Sequence, residues 1–232
     1  MSEEKFAAIF DGLTEAYGTY RVEKKQSNGK NTGKAAIVRE PRTPKLWQGH
    51  LSGKGNSVGI IPINEDNKCK WGCIDVDQYP LDHKLFADDW VEARDMQKAL
   101  QNISAALGYG DSEIFPKQVK LNLERGDVGN FLNLPYYDAE GGLRYAFLDD
   151  GTSADLEEFF ELYEAHKQTP EQVIKLQVES TADMADFDKG STRTATRTCA
   201  ARWSLVLGLP RLAYRLPTYA STTQRRLSGF WT

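Results

Sequence analysis

Apolar residues recur at the spacing of an α-helix in several segments of the chain. The first segment covers residues 4–17, and its apolar stripe consists of Phe6, Ile9, Phe10, Leu13 and Tyr17. A long helix is predicted after Asp88 or Asp89, either of which can cap it, with a stripe of Ala93, Met96, Leu100, Ile103 and Leu107. Thr152 and Asp155 resemble a capping box for a third helix that ends at His166, and Pro170 is typical of the first turn of a fourth.

Short apolar runs between these helices predict β-strands. They lie at residues 35–38, 57–63, 71–77, 112–115 and 129–134. Because strands and helices alternate, the pattern predicts an α/β or α+β domain up to about residue 178. Residues 179–190 are predicted to be a linker, and residues 191–232 a basic tail rich in Arg, Ser and Thr.

Charge is distributed unevenly over the 232 residues. The chain has 29 Lys and Arg against 33 Asp and Glu, a net charge of −4, yet residues 191–232 contain seven Arg and no acid. A second segment, from Arg21 to Lys54, has nine basic residues and two acidic ones. Two basic segments on an acidic body suggest a polyanionic partner such as nucleic acid, although Lys-rich solvated faces are equally common. The candidate nucleic-acid contacts in the second segment are Lys34, Arg39, Arg42, Lys45 and Lys54.

The tail has two interpretations. It is either an arm that binds nucleic acid or a non-native sequence, such as a translated wrong reading frame. The loss of every acid together with a switch from Lys to Arg favours the second interpretation. No catalytic residue is assigned to the tail.

Few cysteines and no long apolar segment limit the class of protein. Three cysteines, Cys69, Cys73 and Cys199, do not make a disulfide framework, so a reducing compartment is expected. The N-terminus has acids where a signal peptide has a basic region, and no window of about 18 apolar residues exists. We therefore expect a cytoplasmic protein without a membrane partner.

Two carboxylates at the end of a predicted strand are the strongest chemical signal. In Ile74-Asp75-Val76-Asp77 the apolar residues alternate with the acids, so both acids project from one face of the strand. Hard divalent cations prefer such oxygen ligands, and a third carboxylate nearby would allow two ions to bind. The simpler alternative is a solvated strand end, which is the commoner case for an isolated pair.

A third carboxylate comes from the strand after the long helix. A strand–helix–strand path can bring Glu113 beside the first acidic pair. Lys117 and Gln118 follow it and are candidates for nucleotide binding, since a lysine near the metals would attract phosphate. The alternative is an exposed edge strand that Pro116 ends.

The order of these motifs resembles a known superfamily. LWQGHLSGKG, SVGIIPI, WGCIDVD, LGYGDSEIFPKQ and GNFLNLPYY follow one another as in the archaeo-eukaryotic primase (primase–polymerase) superfamily, with the closest likeness to primase-like domains of TOTE-type conflict systems. The resemblance implies an α+β fold in which residues 1–178 form a catalytic domain, with an RRM-like sheet and an N-terminal α/β unit. It also implies template-directed nucleotidyl transfer with two Mg²⁺ or Mn²⁺ ions, which Asp75, Asp77 and Glu113 would bind as catalytic ligands.

The implied partners follow from this activity. They are a DNA template and primer, nucleoside triphosphates, and a helicase or nuclease domain of a longer parent protein. A prokaryotic or phage-encoded origin in replication, repair or mobile-element biology is expected from the same resemblance.

One family motif is missing. Members carry a Ser-Gly-Gly-x-His strand that handles the triphosphate, and the 35 residues between Asp77 and Glu113 contain no such motif. The sequence passes directly from YPLDHK to LFADDW, where a helix and a strand are expected. The alternatives are therefore a catalytically impaired relative that still binds nucleic acid or, with less support, a metal-dependent nuclease.

Overall fold

An α+β fold is formed by the residues that the computed structural model describes, namely 2–25, 31–76, 81–110, 112–141, 144–148, 151–176 and 211–214. The α+β class is therefore confirmed. In these residues the helices are α1 (Ser2–Ile9), α2 (Pro44–Leu51), α3 (Ala93–Ala106), α4 (Leu156–His166) and α5 (Pro170–Lys175). No described helix combines the length and apolar character needed to cross a membrane.

The first sheet is antiparallel and belongs mainly to the N-terminal part of the chain. Its strands are β1 (Tyr17–Lys25), β2 (Asn31–Val38), β3 (Ser57–Ile60) and β7 (Leu132–Asn133), in the order β2-β1-β3-β7. The β1–β2 pair is long, whereas β1 pairs with β3 only over Gly18–Tyr20. The outer half of β1 and β2 therefore has no third strand beside it among the described residues.

The second sheet is also antiparallel and carries the predicted acidic motifs. Its strands are β4 (Lys68–Val76), β5 (Leu81–Glu92), β6 (Glu113–Phe115), β8 (Arg144–Phe147) and β9 (Arg211–Tyr214), in the order β6-β4-β5-β9-β8. Strand β9 comes from the predicted tail and lies between β5 and β8. The predicted linker, residues 179–190, lies outside the described residues.

Apolar side chains cover both faces of the second sheet. On one face, Ile74 and Leu85 pack with the α3 stripe and with Val173 of α5. On the opposite face, Trp71 and Phe86 pack in a second cluster with aromatic residues from α1, from the position after α1 and from α4, namely Phe6, Phe10, Phe159 and Phe160. The sheet is thus a central layer between two cores, and only the strand ends offer room for polar groups.

Helix α1 is shorter than predicted. It ends at Ile9, although Phe10 and Leu13 of the predicted stripe are buried as expected. The backbone N–H of Leu13 donates to the Ile61 carbonyl at 3.0 Å, and a Cβ on Gly12 would overlap that carbonyl. The helix ends early because the residues after it are hydrogen-bonded to the segment that follows β3.

The N-terminus of α3 was predicted wrongly. Asp88 and Asp89 do not cap it, because β5 continues through them to Glu92 and pairs with β4 over Lys68–Val76. The apolar stripe itself is correct, since all five of its members are buried, namely Ala93, Met96, Leu100, Ile103 and Leu107. The helices predicted to end at His166 and to begin at Pro170 are also present, each with a capping box, although Asp155 rather than Thr152 caps α4.

Candidate metal site on the second sheet

Three carboxylates form one row across the second sheet. Asp75 at the end of β4 lies directly opposite Glu113 of β6 on one side and Asp82 of β5 on the other. Residues directly opposite one another in an antiparallel pair share a face, with Cβ atoms roughly 4.5–5.5 Å apart. We call Asp82, Asp75 and Glu113 the acid row. The predicted approach of Glu113 to Asp75 is present in the strand register.

Local sequence explains why the row forms at the sheet's end. In β4, Trp71 and Cys73 point to the same face as Asp75, and both are buried in the aromatic core. Along β4, the apolar part of this face ends at Cys73, and the next residue on the same face is Asp75. Asp75 is half-buried, Glu113 is exposed, and Asp82 is only 2% exposed. Solvent access therefore rises along the row from Asp82 to Glu113.

Two lysines neutralise the ends of the acid row. The Nζ atom of Lys84 lies 3.3 Å from Oδ2 of Asp82, and these side chains are 2% and 3% exposed. The Nζ atom of Lys117 lies 2.7 Å from Oε2 of Glu113, where the side chains are 33% and 50% exposed. The Lys84–Asp82 pair is therefore buried, whereas the Lys117–Glu113 pair lies at the surface.

The electrostatic environment keeps Lys84 charged. Burial by itself lowers the pKa of the Lys84 ammonium, but the nearby Cys73, Asp82 and Asp75 raise it by more, so its pKa lies above the ordinary range. The Cys73 thiol is itself neutral, because burial raises its pKa. The carboxylates of Asp82 and Asp75 are therefore the charged groups that favour the ammonium form of Lys84.

The loop that carries Lys117 and Gln118 is held from two sides. The Nε2 group of Gln97, on α3, donates to the carbonyls of Pro116 and Lys117 at 3.1 and 3.2 Å. Gln118 donates to the Asn130 side chain and accepts from the Asn130 backbone N–H at 3.1 Å. Lys117 is thus positioned next to Glu113. The side-chain amide of Gln118, in contrast, is hydrogen-bonded to Asn130.

The donor chemistry fits a divalent cation at one end of the row. Asp75 and Glu113 supply carboxylate oxygens from adjacent strands, as Mg²⁺ and Mn²⁺ require. Asp77, the remaining predicted ligand, lies outside the described residues. Within the described part of the chain, no cluster of three or more His, Cys, Asp or Glu has a geometry that could hold a metal. The fit therefore rests on two carboxylates, with Asp77 as the predicted third.

The basic candidates differ in how accessible they are. Lys34, Arg39, Lys45 and Lys54 are exposed. Arg42 is different, because its guanidinium donates to Asp11 at 2.7 Å and to the Gly12 carbonyl at 3.0 Å, and its side chain is only 8% exposed. With Trp47 and Asp11 it lines a cleft of about 310 Å³. Arg42 therefore joins the segment after α1 to the segment before α2 and is poorly placed to contact phosphate.

Sequence reasoning missed two members of this site. Asp82 and Lys84 lie on the same face of β5, two residues apart, within the run LDHKLF. Two opposite charges at that spacing inside an apolar strand were a usable signal, but β5 itself was not predicted. Comparison of the chain with protein-family models finds no match, and comparison with curated proteins finds none either. The functional interpretation therefore depends on the acid row.

Proposed function

We propose that this chain is a metal-dependent nucleotidyltransferase of the primase–polymerase kind, which joins nucleotides on a DNA template. The observation that carries the proposal is the register that sets Asp75 directly opposite Glu113. These acids come from two of the five motifs that carry the resemblance, and 37 residues lie between them in the sequence. Convergence of both motifs on one face is what a shared metal site requires.

The architecture of the second sheet supports the same proposal. The resemblance implies an RRM-like catalytic sheet. Here the antiparallel second sheet carries Asp75 and Glu113 at its strand ends, on the face opposite Ile74 and Leu85 and beyond the aromatic core that α1 and α4 cover. This arrangement leaves the Glu113 end of the row open to solvent and so to a substrate.

Each residue has a distinct role in the proposed reaction. Asp75 and Glu113, with Asp77, would hold the divalent cation. When bound, the cation would supply charge that lowers the pKa of a 3′-hydroxyl and neutralises part of the triphosphate. Lys117 lies beside Glu113 and can exchange its exposed ion pair for a phosphate oxygen. Gln97 acts as a positioning residue, because it fixes the backbone that carries Lys117.

Primer extension tests this proposal. With Mn²⁺ or Mg²⁺, a DNA primer–template and all four nucleotides, the wild-type chain is expected to extend the primer. Asp75→Asn and Glu113→Gln should each reduce the rate by at least about 100-fold, since each removes a charged ligand. Glu124→Gln is the matched control, because Glu124 is an exposed acid on a short 3₁₀ turn. Full extension by Asp75→Asn would refute the assignment.

A catalytically impaired nucleic-acid-binding relative is the second candidate. The observation that favours it is the continuous strand β5, which crosses the junction between YPLDHK and LFADDW with Lys84 and Leu85 both buried. The phosphate-handling motif thus has no place between β4 and the paired part of β5. This candidate predicts DNA binding that weakens with salt, no extension by the wild-type chain, and no micromolar affinity for a nucleoside triphosphate.

A further inference from the structure

The two faces of the first sheet differ in what covers them. Gly18 of β1 lies opposite Ile37 of β2 and Gly59 of β3, so these three residues share a face with Tyr20, two positions further along β1. Val58 belongs to the other face and is buried in the aromatic core. Ile37, in contrast, is 41% exposed. The core therefore lies on the Val58 side, and the Tyr20 side is exposed at its β2 edge.

Phe131 adds a second aromatic ring to the Tyr20 side. It directly precedes β7, and a Cβ on Gly18 or on Gly59 would overlap its ring. Two glycines opposite one another thus make room for the ring to lie against the sheet. Phe131 and Tyr20 are both half-buried, so part of each ring is accessible. We call Tyr20, Ile37 and Phe131 the open face of the first sheet.

Exposed basic side chains border the open face. Lys34 lies in β2, three positions before Ile37, and Arg39 follows Ile37 by two positions. Lys54 lies three positions before β3. The segment from Arg21 to Lys54 has nine basic residues and two acidic ones. Accessible aromatic rings with a basic border suit single-stranded nucleic acid, because its bases stack on rings while its phosphates meet the cations.

A hydrogen-bonded loop joins the open face to the acid row. Phe131 directly follows Asn130, whose side chain and backbone are both hydrogen-bonded to Gln118. Gln118 directly follows Lys117, which is paired with Glu113. The open face therefore adjoins the loop that carries Lys117.

We propose that the open face binds single-stranded DNA, the template of the proposed reaction, with bases stacked on Tyr20 and Phe131. The role as a template rests on the proposed function, whereas the binding itself does not require the reaction. Lys34 and Arg39 contact phosphates, and Ile37 supplies apolar surface between them and the rings. A duplex binds less well, because its bases are already stacked on one another and their faces are not available to the protein.

The dependence of binding on the bases tests the inference without relying on catalysis. A labelled strand of about ten deoxythymidines is compared, by fluorescence anisotropy, with an abasic strand of the same length and charge. The wild-type chain is expected to bind the thymidine strand at least about 10-fold more tightly. Tyr20→Leu should reduce this preference about 5-fold, because one stacking ring is lost. The matched control is Tyr145→Leu, which changes a half-buried tyrosine of β8 and should keep the full preference.

Salt dependence separates stacking from charge. The slope of log Kd against log salt should be unchanged in Tyr20→Leu, whereas Lys34→Gln should lower it by about 0.7 and keep the preference for bases. A strand with 5-iodouracil in place of thymine should crosslink to Tyr20 or Phe131 in the wild-type chain under ultraviolet light. This crosslink keeps the test decisive if Tyr20→Leu fails to fold.

Four results would each overturn the inference. They are equal affinity of the wild-type chain for the two strands, an undiminished preference in folded Tyr20→Leu, tighter binding of a duplex of the same length, and crosslinks that form only outside the open face. Binding as expected without any primer extension would overturn the proposed reaction instead, and the open face would stand as a DNA-binding surface.

Discussion

Acidification is expected to destabilise the fold through the buried His50 of α2. Its side chain is 0% exposed. The Nε2 group donates to the Pro135 carbonyl at 2.8 Å, and Nδ1 accepts from the Val58 backbone N–H at 3.0 Å. Only the neutral ring can make both hydrogen bonds, because a protonated ring has no acceptor. His50 thus ties α2 to β3 and to the segment after β7 in its uncharged form.

The size of the effect follows from the pKa of His50. Burial lowers this pKa from 6.5 to about 4, and the hydrogen bond to Pro135 opposes the shift only in part. Because the folded-state pKa is depressed, the unfolded chain binds the proton first as the pH falls. The stability contributed by neutral His50 is therefore present above pH 6.5 and is lost progressively between pH 6.5 and 4. Between pH 7 and 5 the loss is about 2 kcal/mol.

Urea unfolding at pH 7 and pH 5 measures this contribution. His50→Gln should cost roughly 1–3 kcal/mol at pH 7, since it leaves a backbone hydrogen bond of Val58 or Pro135 unmade. Between pH 7 and 5, however, the wild-type chain should lose about 2 kcal/mol more than His50→Gln does. His166→Gln, at the end of α4, is the matched histidine control and should follow the wild-type pH dependence. An equal loss in the wild type and in His50→Gln would refute the reasoning.

Two further stability predictions and one binding prediction can be checked on the same set of proteins. Arg42→Met should lower the free energy of unfolding by about 2 kcal/mol, because it leaves Asp11 without its ion pair. The control Lys45→Met should change this free energy by less than about 0.5 kcal/mol, and equal effects of the two variants would contradict the structural role of Arg42. Gly72→Ala should cost about 2 kcal/mol in urea unfolding, because its Cβ would lie 2.7 Å from the Phe115 carbonyl, whereas Gly110→Ala meets nothing within 4 Å and should be neutral. Charge reversal at Lys34 and Lys45 should reduce the slope of log K for DNA against log salt by about 1 per lost phosphate contact; an unchanged slope would make them solvent-facing residues only.

Elements with a local, periodic pattern were predictable from the sequence. The stripe of α3 was correct because helical spacing places Ala93, Met96 and Leu100 on one face whatever packs against it. Glu113 does lie opposite Asp75, but not by the predicted strand–helix–strand path, because β5 stands between β4 and α3 and β6 pairs antiparallel with β4.

Elements that bury polar or charged side chains were not predictable in the same way, because the partners that make this burial tolerable are seen only in the folded structure. Strand β5 buries Asp82 and Lys84, and each charge is tolerated only because the other lies beside it. A pattern of apolar and polar residues treats such charges as surface positions, so no strand was predicted there. Helix α2 was missed because its buried residues, Trp47 and His50, include a polar side chain that only β3 and Pro135 satisfy.

The most direct measurement of the central claim is the position of Mn²⁺ in crystals of this chain. Anomalous diffraction locates the ion independently of the protein model used for phasing. We predict a single strong peak at roughly 2.0–2.3 Å from carboxylate oxygens of both Asp75 and Glu113. A peak elsewhere on the protein, or none near these two residues at saturating Mn²⁺, would contradict the assignment of the acid row as a metal site.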